Sequence, residues 1–224
     1  MLPHTVHNRW IVRRNREDAA RLASLCRGEL LDIGCGGKPY EDLILPHVTR
    51  YVGFDHPDTR HDRQKVDVWG SATDLPFEDR SFDTVVAFQV LEHVEEPGTM
   101  VAEAFRVLRP GGVFIVTTPF MWGVHEEPRD FYRYTEYGLR HLLSTAGFTE
   151  IEIEAVSGVW MMLGLRFSYF LEPWSQSRWR PIVLGLQLLA QSIGARLDKA
   201  YRVETDTVGY VTVARAPSGV PPVA

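Results

Sequence analysis

The sequence predicts an α/β fold, a doubly wound open sheet with helices on both faces. Three observations point there. Short Val- and Ile-rich runs alternate with stretches of helical periodicity. The runs carry little polar alternation, as parallel strands buried on both faces should. The first run passes directly into a glycine-rich loop, the usual opening of a strand–loop–helix unit.

Residues 8–27 read as an amphipathic helix, with Trp10, Val12, Ala19, Leu22, Ala23 and Leu25 among charged residues and Gly28 at its end. Strands follow at Leu30–Ile33, Tyr51–Phe54, Thr84–Phe88 and Val113–Thr117. Helices are expected between and after them at Pro39–Leu45, Gly98–Leu108 and Glu136–Ala146, the last closed by Gly147. Two further runs, Glu150–Ala155 and Val208–Ala214, read as strands near the end of the chain.

Between those two strands lies an aromatic, helical stretch broken at Pro173 and Pro181. The expected division is a helical cap over 1–28, a core over 29–156 and 204–215, and a helical insertion over 157–203 before the last strand. The tail over 216–224, APSGVPPVA, has the composition of a disordered segment. Trp160, Met161, Met162, Leu163, Leu165, Phe167, Tyr169 and Phe170 make the insertion apolar nearly all round, so something must cover it. A lid over an acceptor pocket, a homodimer contact, and a membrane surface met by Trp174, Arg178, Trp179 and Arg180 are the coverings considered, in that order.

The whole chain has 224 residues, 45% hydrophobic and 24% charged, which suits one compact domain with a small appendage. Its net charge of −5 argues against a nucleic-acid partner held by phosphate neutralisation. Cys26 and Cys35 have no ligand or disulfide spacing, so a reduced, cytoplasmic setting is expected. The N-terminal stretch has no apolar leader region, and no run approaches the roughly 18 apolar residues of a membrane span.

The loop in LLDIGCGGKPY raises the question of its ligand. Gly34 and Gly36 let the backbone approach closely, and the N–H groups beyond them suit an anionic or polar ligand. A dinucleotide fingerprint needs a third small residue where Pro39 stands, which disfavours NAD and an NAD-dependent oxidoreductase. Asp55 follows the second strand, where an acid accepts hydrogen bonds from ribose hydroxyls. Downstream come LPFEDRSFD, LEHV and LRPGG, in that order. With DIGCGG, these motifs resemble those of class I S-adenosylmethionine-dependent methyltransferases of the type-11 group, over about residues 29–155 and again in the last strand.

That resemblance implies a seven-stranded Rossmann-like methyltransferase sheet and S-adenosyl-L-methionine as cofactor. It makes Asp32, Gly34 and Gly36 cofactor-binding positions and Asp55 the ribose acid. Ser71 and Ala72 match the place beside the adenine, with serine where the family often has aspartate. Phe88 and Gln89 match positions lining the methionine moiety. Lys38 stands where the family commonly has a third glycine, and Pro39 offers another way to tighten the turn.

Methyl transfer from a sulfonium needs a base only when the acceptor is protonated. His93, after the Thr84–Phe88 strand, and His125, after the Val113–Thr117 strand, stand where open α/β sheets bind ligands; each could equally be a packing or capping residue. The stretch HEEPRDFYRYT is similar to versions in methyltransferases among polysaccharide and sugar-tailoring enzymes. It adds Asp130 as a candidate catalytic group and Tyr132, Arg133 and Tyr134 as candidate substrate contacts, a set suited to a polyhydroxylated small-molecule acceptor. The alternative is that the aromatic residues pin the loop and Thr135 caps the next helix. No metal is expected, because His125, Glu126 and Glu127 are adjacent and share no helix face, and no second histidine stands at ligand spacing. The reading is an O-methyltransferase; an N- or C-methyltransferase and a non-catalytic cofactor-binding scaffold are its rivals.

Overall fold

The structure, a computed structural model, describes residues 5–219. The end of the tail expected to be disordered, residues 220–224, and residues 1–4 of the cap lie outside it. The strands are β1 (Glu29–Ile33), β2 (Arg50–Asp55), β3 (Val68–Trp69), β4 (Phe82–Phe88), β5 (Leu108–Pro119), β6 (Thr149–Ala155) and β7 (Gly209–Arg215). The helices are α1 (Arg9–Ala23), α2 (Glu41–Ile44), α3 (Pro97–Val107), α4 (Glu136–Thr145), α5 (Val159–Leu171) and α6 (Arg180–Ala200).

All seven strands form one sheet in the order β3-β2-β1-β4-β5-β7-β6. The pairs β1–β2, β1–β4, β2–β3 and β4–β5 are parallel. Hydrogen bonds of Gly111 and Gly112 with Ala216, and of Phe120 with Val208, run β7 antiparallel to β5. The doubly wound, seven-stranded fold read from the sequence is therefore present, as a mixed sheet. Helix α1 stops at Ala23, short of the expected residue 27, and β5 starts at Leu108, inside the LRPGG motif.

The described residues divide into two compact units. One holds residues 18–119, 123–154 and 210–219, and the other residues 5–17, 120–122 and 155–209. In the sheet unit, Leu30, Leu31, Phe54, Val85, Val86, Phe114 and Ile115 are buried, each removal from water contributing about 1.5–3 kcal/mol. Helix α3 starts on Pro97 and buries Met100, Val101, Ala104 and Val107, one face at helical spacing. Helix α4 starts where Thr135 accepts a hydrogen bond from Gly138 N–H at 3.1 Å, the expected cap.

Two of the sequence motifs meet through one side chain. The Arg106 guanidinium donates to both Glu103 carboxylate oxygens, to the Leu75 and Phe77 carbonyls and to Asp79. Leu75 N–H donates back to Glu103. The LPFED turn is thus bolted to α3, a structural role for that motif.

In the helical unit, Gly164 of α5 faces the Ala190 carbonyl and Gly194 of α6 faces that of Trp160. A Cβ at either would lie 2.7 Å from the oxygen, so the small residues set how closely the helices approach. Asp198 of α6 accepts from the N–H groups of Gly158 and Trp160, satisfying the free donors at the start of α5. Gln191 ties the chain start to α6, accepting from Trp10 N–H and donating to the Val6 carbonyl. Leu163, Phe167, Phe170, Ile182, Leu189 and Ile193 are exposed. No helix among the described residues is long and apolar enough to cross a membrane.

Candidate active site

The parallel strands β2, β1, β4 and β5 lie side by side, so the segments leaving their carboxyl ends gather at one edge, where such sheets bind ligands. After β1, Gly34 and Cys35 both donate their N–H to the Phe54 carbonyl of β2, at 2.8 and 3.1 Å. Gly34 has φ +71°, and a Cβ there would stand 2.4 Å from Val90 Cγ2. Gly36 has φ +47° and lies under His61. Both glycines are thus required by backbone conformation, and Gly34 also by space.

Asp55 ends β2 and closes this loop. Its carboxylate accepts Gly36 N–H at 2.8 Å and His56 N–H at 2.7 Å. A carboxylate has about four acceptor positions, so these two bonds leave capacity for ribose hydroxyls. Asp32, at the end of β1, is buried and accepts the Tyr51 hydroxyl at 2.6 Å. Burial pushes its carboxyl up to about 7, against the pull of Tyr51 and Lys38.

The family's missing third glycine is compensated by Lys38 itself rather than by Pro39. Lys38 takes φ +50°, and its Nζ runs inward to Asp67 at 2.7 Å and over the Tyr51 ring. Gly53 makes the room, since a Cβ there would lie 2.4 Å from Lys38 Cε. Asp67 also accepts Gly53 N–H at 2.7 Å. Gly53 inside the second strand was the one signal in the sequence, and the positive φ at lysine appears only once the loop is folded.

Of the remaining cofactor positions, Phe88 ends β4 and stacks edge-on against Tyr40. Gln89 has φ +57° and bonds Thr117 of β5 through its backbone and its side-chain amide. The Ser71 hydroxyl is taken up in its own turn by Thr73, next to Ala72.

The other half of the site is made of side chains. Leu91–His93 forms a 3-10 turn after β4, and residues 123–135 fold onto it. Phe131 N–H donates to the Glu92 carbonyl, Tyr132 OH to that of Glu95 and Tyr134 OH to that of Leu91. Tyr134 is buried, so it pins the loop, whereas Tyr132 is 39% exposed.

Asp130 is the hub of this loop. It accepts His125 N–H at 2.8 Å and both ends of the Arg133 guanidinium, at 2.6 and 2.7 Å. Arg133 holds the Asp130 carboxyl down to about 2. Arg133 also donates to the Tyr132 and Gly123 carbonyls. Asp130 and Arg133 therefore position the loop and His125.

His93 and His125 meet ring to ring, with centroids 4.8 Å apart. His93 Nδ1 lies 2.5 Å from the Arg129 carbonyl, which can only accept, so Nδ1 carries the proton and Nε2 a bare lone pair. Burial pushes His93 below the usual imidazole range, favouring this neutral form. His125 Nδ1 faces the Gly123 carbonyl at 3.2 Å and Asp130 at 3.3 Å, with the Arg133 guanidinium farther off at 3.4 Å; the two nearer acceptors favour the proton on Nδ1 and leave Nε2 bare as well.

Glu92 is fully buried beside them, and neither carboxylate oxygen has a hydrogen-bond partner in another residue. Burial pushes it up to about 8, against smaller pulls from its own N–H and from Arg133. Ligand atoms of Glu92, His93 and His125 lie within 4.8 Å of one another. The expectation of no metal weighed only neighbours in sequence; adjacency of β4 and β5 supplies the second histidine from 32 residues away.

A second loop, residues 56–66, joins the two halves. His61 sits against Gly36 and bonds Glu126 at 3.2 Å, while Asp58 and His56 meet Arg129. His61 holds the Glu126 carboxyl down to about 2. His61 was missed because it stands in a polar run, PDTRHDRQK, with nothing to single it out.

A glycine cradle, a ribose-type acid and an imidazole pair at one sheet edge define an enzyme that binds a nucleoside-containing cofactor. The methyltransferase domain family of the type-11 group matches residues 31–116. A protein of Mycolicibacterium smegmatis named "Probable S-adenosylmethionine-dependent methyltransferase" is 37% identical over 178 residues, 73% of this chain and 68% of that protein. An O-methyltransferase of Aspergillus nomiae is 28% identical over 62% of this chain and 72% of its own length. Among solved structures, the [4+2]-cyclase SpnF covers 92% of this chain and 81% of its own at a TM-score of 0.59 and 24% identity, a likeness of fold alone. The chain belongs to the class I S-adenosylmethionine-dependent methyltransferases of the type-11 group.

Proposed function

We propose that the enzyme methylates a hydroxyl oxygen of a small-molecule acceptor, sugar-like or a natural-product scaffold. The observation that carries this reading is the imidazole pair, two rings with centroids 4.8 Å apart and their Nδ1 atoms held by the chain. The O-methyltransferase relative agrees with it.

S-adenosylmethionine, when bound, supplies an electrophilic methyl carbon on a sulfonium whose departure leaves a neutral thioether. The chain's own work is to place that carbon and to take a proton. The glycine loop and Asp55 fix the nucleoside end. As the acceptor oxygen forms its bond to carbon, its proton passes to His125 Nε2. Asp130 and the Gly123 carbonyl, at Nδ1, stabilise the imidazolium that results. The exposed Tyr132 ring offers a face on which a sugar can stack.

The test is mass-spectrometric detection of cofactor-dependent methylation across a panel of hydroxylated acceptors. His125→Ala is expected to lower turnover about 100-fold or more, the usual worth of a positioned base, with S-adenosylhomocysteine affinity intact. Wild-type turnover in that variant would remove the base role.

A further inference from the structure

We propose that Glu92, His93 and His125 bind one divalent transition-metal ion on the acceptor side of the site. Two imidazoles and one carboxylate are a donor set for ions such as zinc or cobalt, and three protein ligands leave a coordination position open.

Three independent observations converge. The donor atoms already lie within 4.8 Å of one another, and Glu92 Oε1 stands 3.8 Å from His93 Nε2. Tetrahedral ligands at bonds of about 2.0–2.1 Å stand ~3.4 Å apart, so side-chain rotations of about 1 Å complete the site. Next, the Glu92 side chain is fully buried with neither oxygen hydrogen-bonded to another residue. A polar group left so is costly unless something binds it. Last, both imidazoles are anchored at Nδ1 by acceptors, His93 by a carbonyl and His125 by a carbonyl and Asp130. Such outer contacts fix a ligating imidazole with Nε2 directed at the ion.

The surrounding charge suits a dication, since the Asp130 and Glu126 carboxylates outweigh Arg133 at this cluster, and Glu92 would give up its proton to ligate. His125, with its side chain 28% exposed, gives an entry path. If the hydroxyl reading holds, an acceptor oxygen in the open position would be acidified by the ion, which would then take over the activation assigned above to His125.

The experiment is a titration of tag-free, chelator-treated protein with cobalt(II) chloride, followed by visible absorption and without any acceptor. One saturable equivalent is expected. It should weaken at least about 10-fold in His93→Gln, His125→Gln and Glu92→Gln, while S-adenosylhomocysteine still binds and His47→Gln and His141→Gln titrate as wild type. His125 lies on an exposed loop, so its variant reports even if Glu92→Gln fails to fold. Absence of saturable binding, or binding indifferent to all three substitutions, overturns the proposal. Stoichiometric cobalt with no methylated hydroxyl would sink the acceptor reading alone, and methylation undiminished in chelator without cobalt binding would sink the metal alone.

Discussion

The cofactor side and the acceptor side of this site are built from different materials. On the cofactor side the loop is shaped largely through its main chain: the N–H groups of Gly34, Cys35 and Gly36 are held by the Phe54 carbonyl and by Asp55. What matters there is the lack of side chains, at Gly34 for Val90 and at Gly53 for Lys38. On the acceptor side the contacts are imidazole, carboxylate and guanidinium groups tied by ion pairs around Asp130. A backbone cradle can be made by many sequences that keep the glycines and the acid. A side-chain network is particular to its acceptor, which is why the family could be named before the substrate.

The cradle breaks most completely at Gly34. Gly34→Val places a branched side chain at positive φ and into Val90, and calorimetry should find no S-adenosylhomocysteine binding. Gly34→Ala combined with Val90→Ala relieves the overlap but keeps the conformational cost, about 1–3 kcal/mol, so partial recovery is expected. Wild-type affinity in Gly34→Val would mean that the cofactor lies elsewhere.

Asp32 gives the next largest effect, as a stability that depends on pH. Its carboxyl is near 7 in the folded chain and near 3.9 when unfolded. Between those values the unfolded chain has lost a proton that the fold retains. The contribution is therefore fully present below about 4 and falls as pH rises to about 7, by at most about 4 kcal/mol in all. Denaturant unfolding of Asp32→Asn against the wild type should show the difference shrinking over that window; a constant difference would place the carboxyl at its ordinary value.

Asp55→Ala leaves the N–H groups of Gly36 and His56 without their acceptor and removes the acid proposed to hold the ribose. Cofactor affinity should fall by about 1–3 kcal/mol, roughly 5- to 150-fold, with turnover at saturating cofactor little changed. That is the converse of His125→Ala, and together the two variants separate the halves. If both quantities moved together in each, the division between a backbone cradle and a side-chain network would not be functional.

Much of the fold was legible because its signals are local. Leu30–Ile33 and Thr84–Phe88 announce themselves by composition, and DIGCGG, LPFEDRSFD and LRPGG by their order. Val68–Trp69 was not legible, since two residues show no periodicity and the strand exists only by pairing with Phe54 and Asp55. LEHV, running into the polar EEPG, gave no hint that Glu92 is wholly buried. The pairing of His93 with His125 needed the strand order, and the pairing of Lys38 with Asp67 needed the loop's path, neither of which spacing encodes.

The smallest expected effect is at the join between the halves. His61 presses on the cofactor loop at Gly36 and bonds Glu126 of the acceptor loop, with both side chains about two-fifths exposed. An exposed ion pair of this kind is worth about 0.2–1 kcal/mol and weakens with salt. Glu126→Gln should therefore change cofactor affinity and acceptor KM together, each by less than about fivefold, and the change should vanish at high ionic strength. A shift confined to one of the two would show that the halves work independently of this pair. A larger shift in both would mean that the loop over residues 56–66 closes the cofactor site only when Glu126 holds it, and that the two halves are assembled in one step.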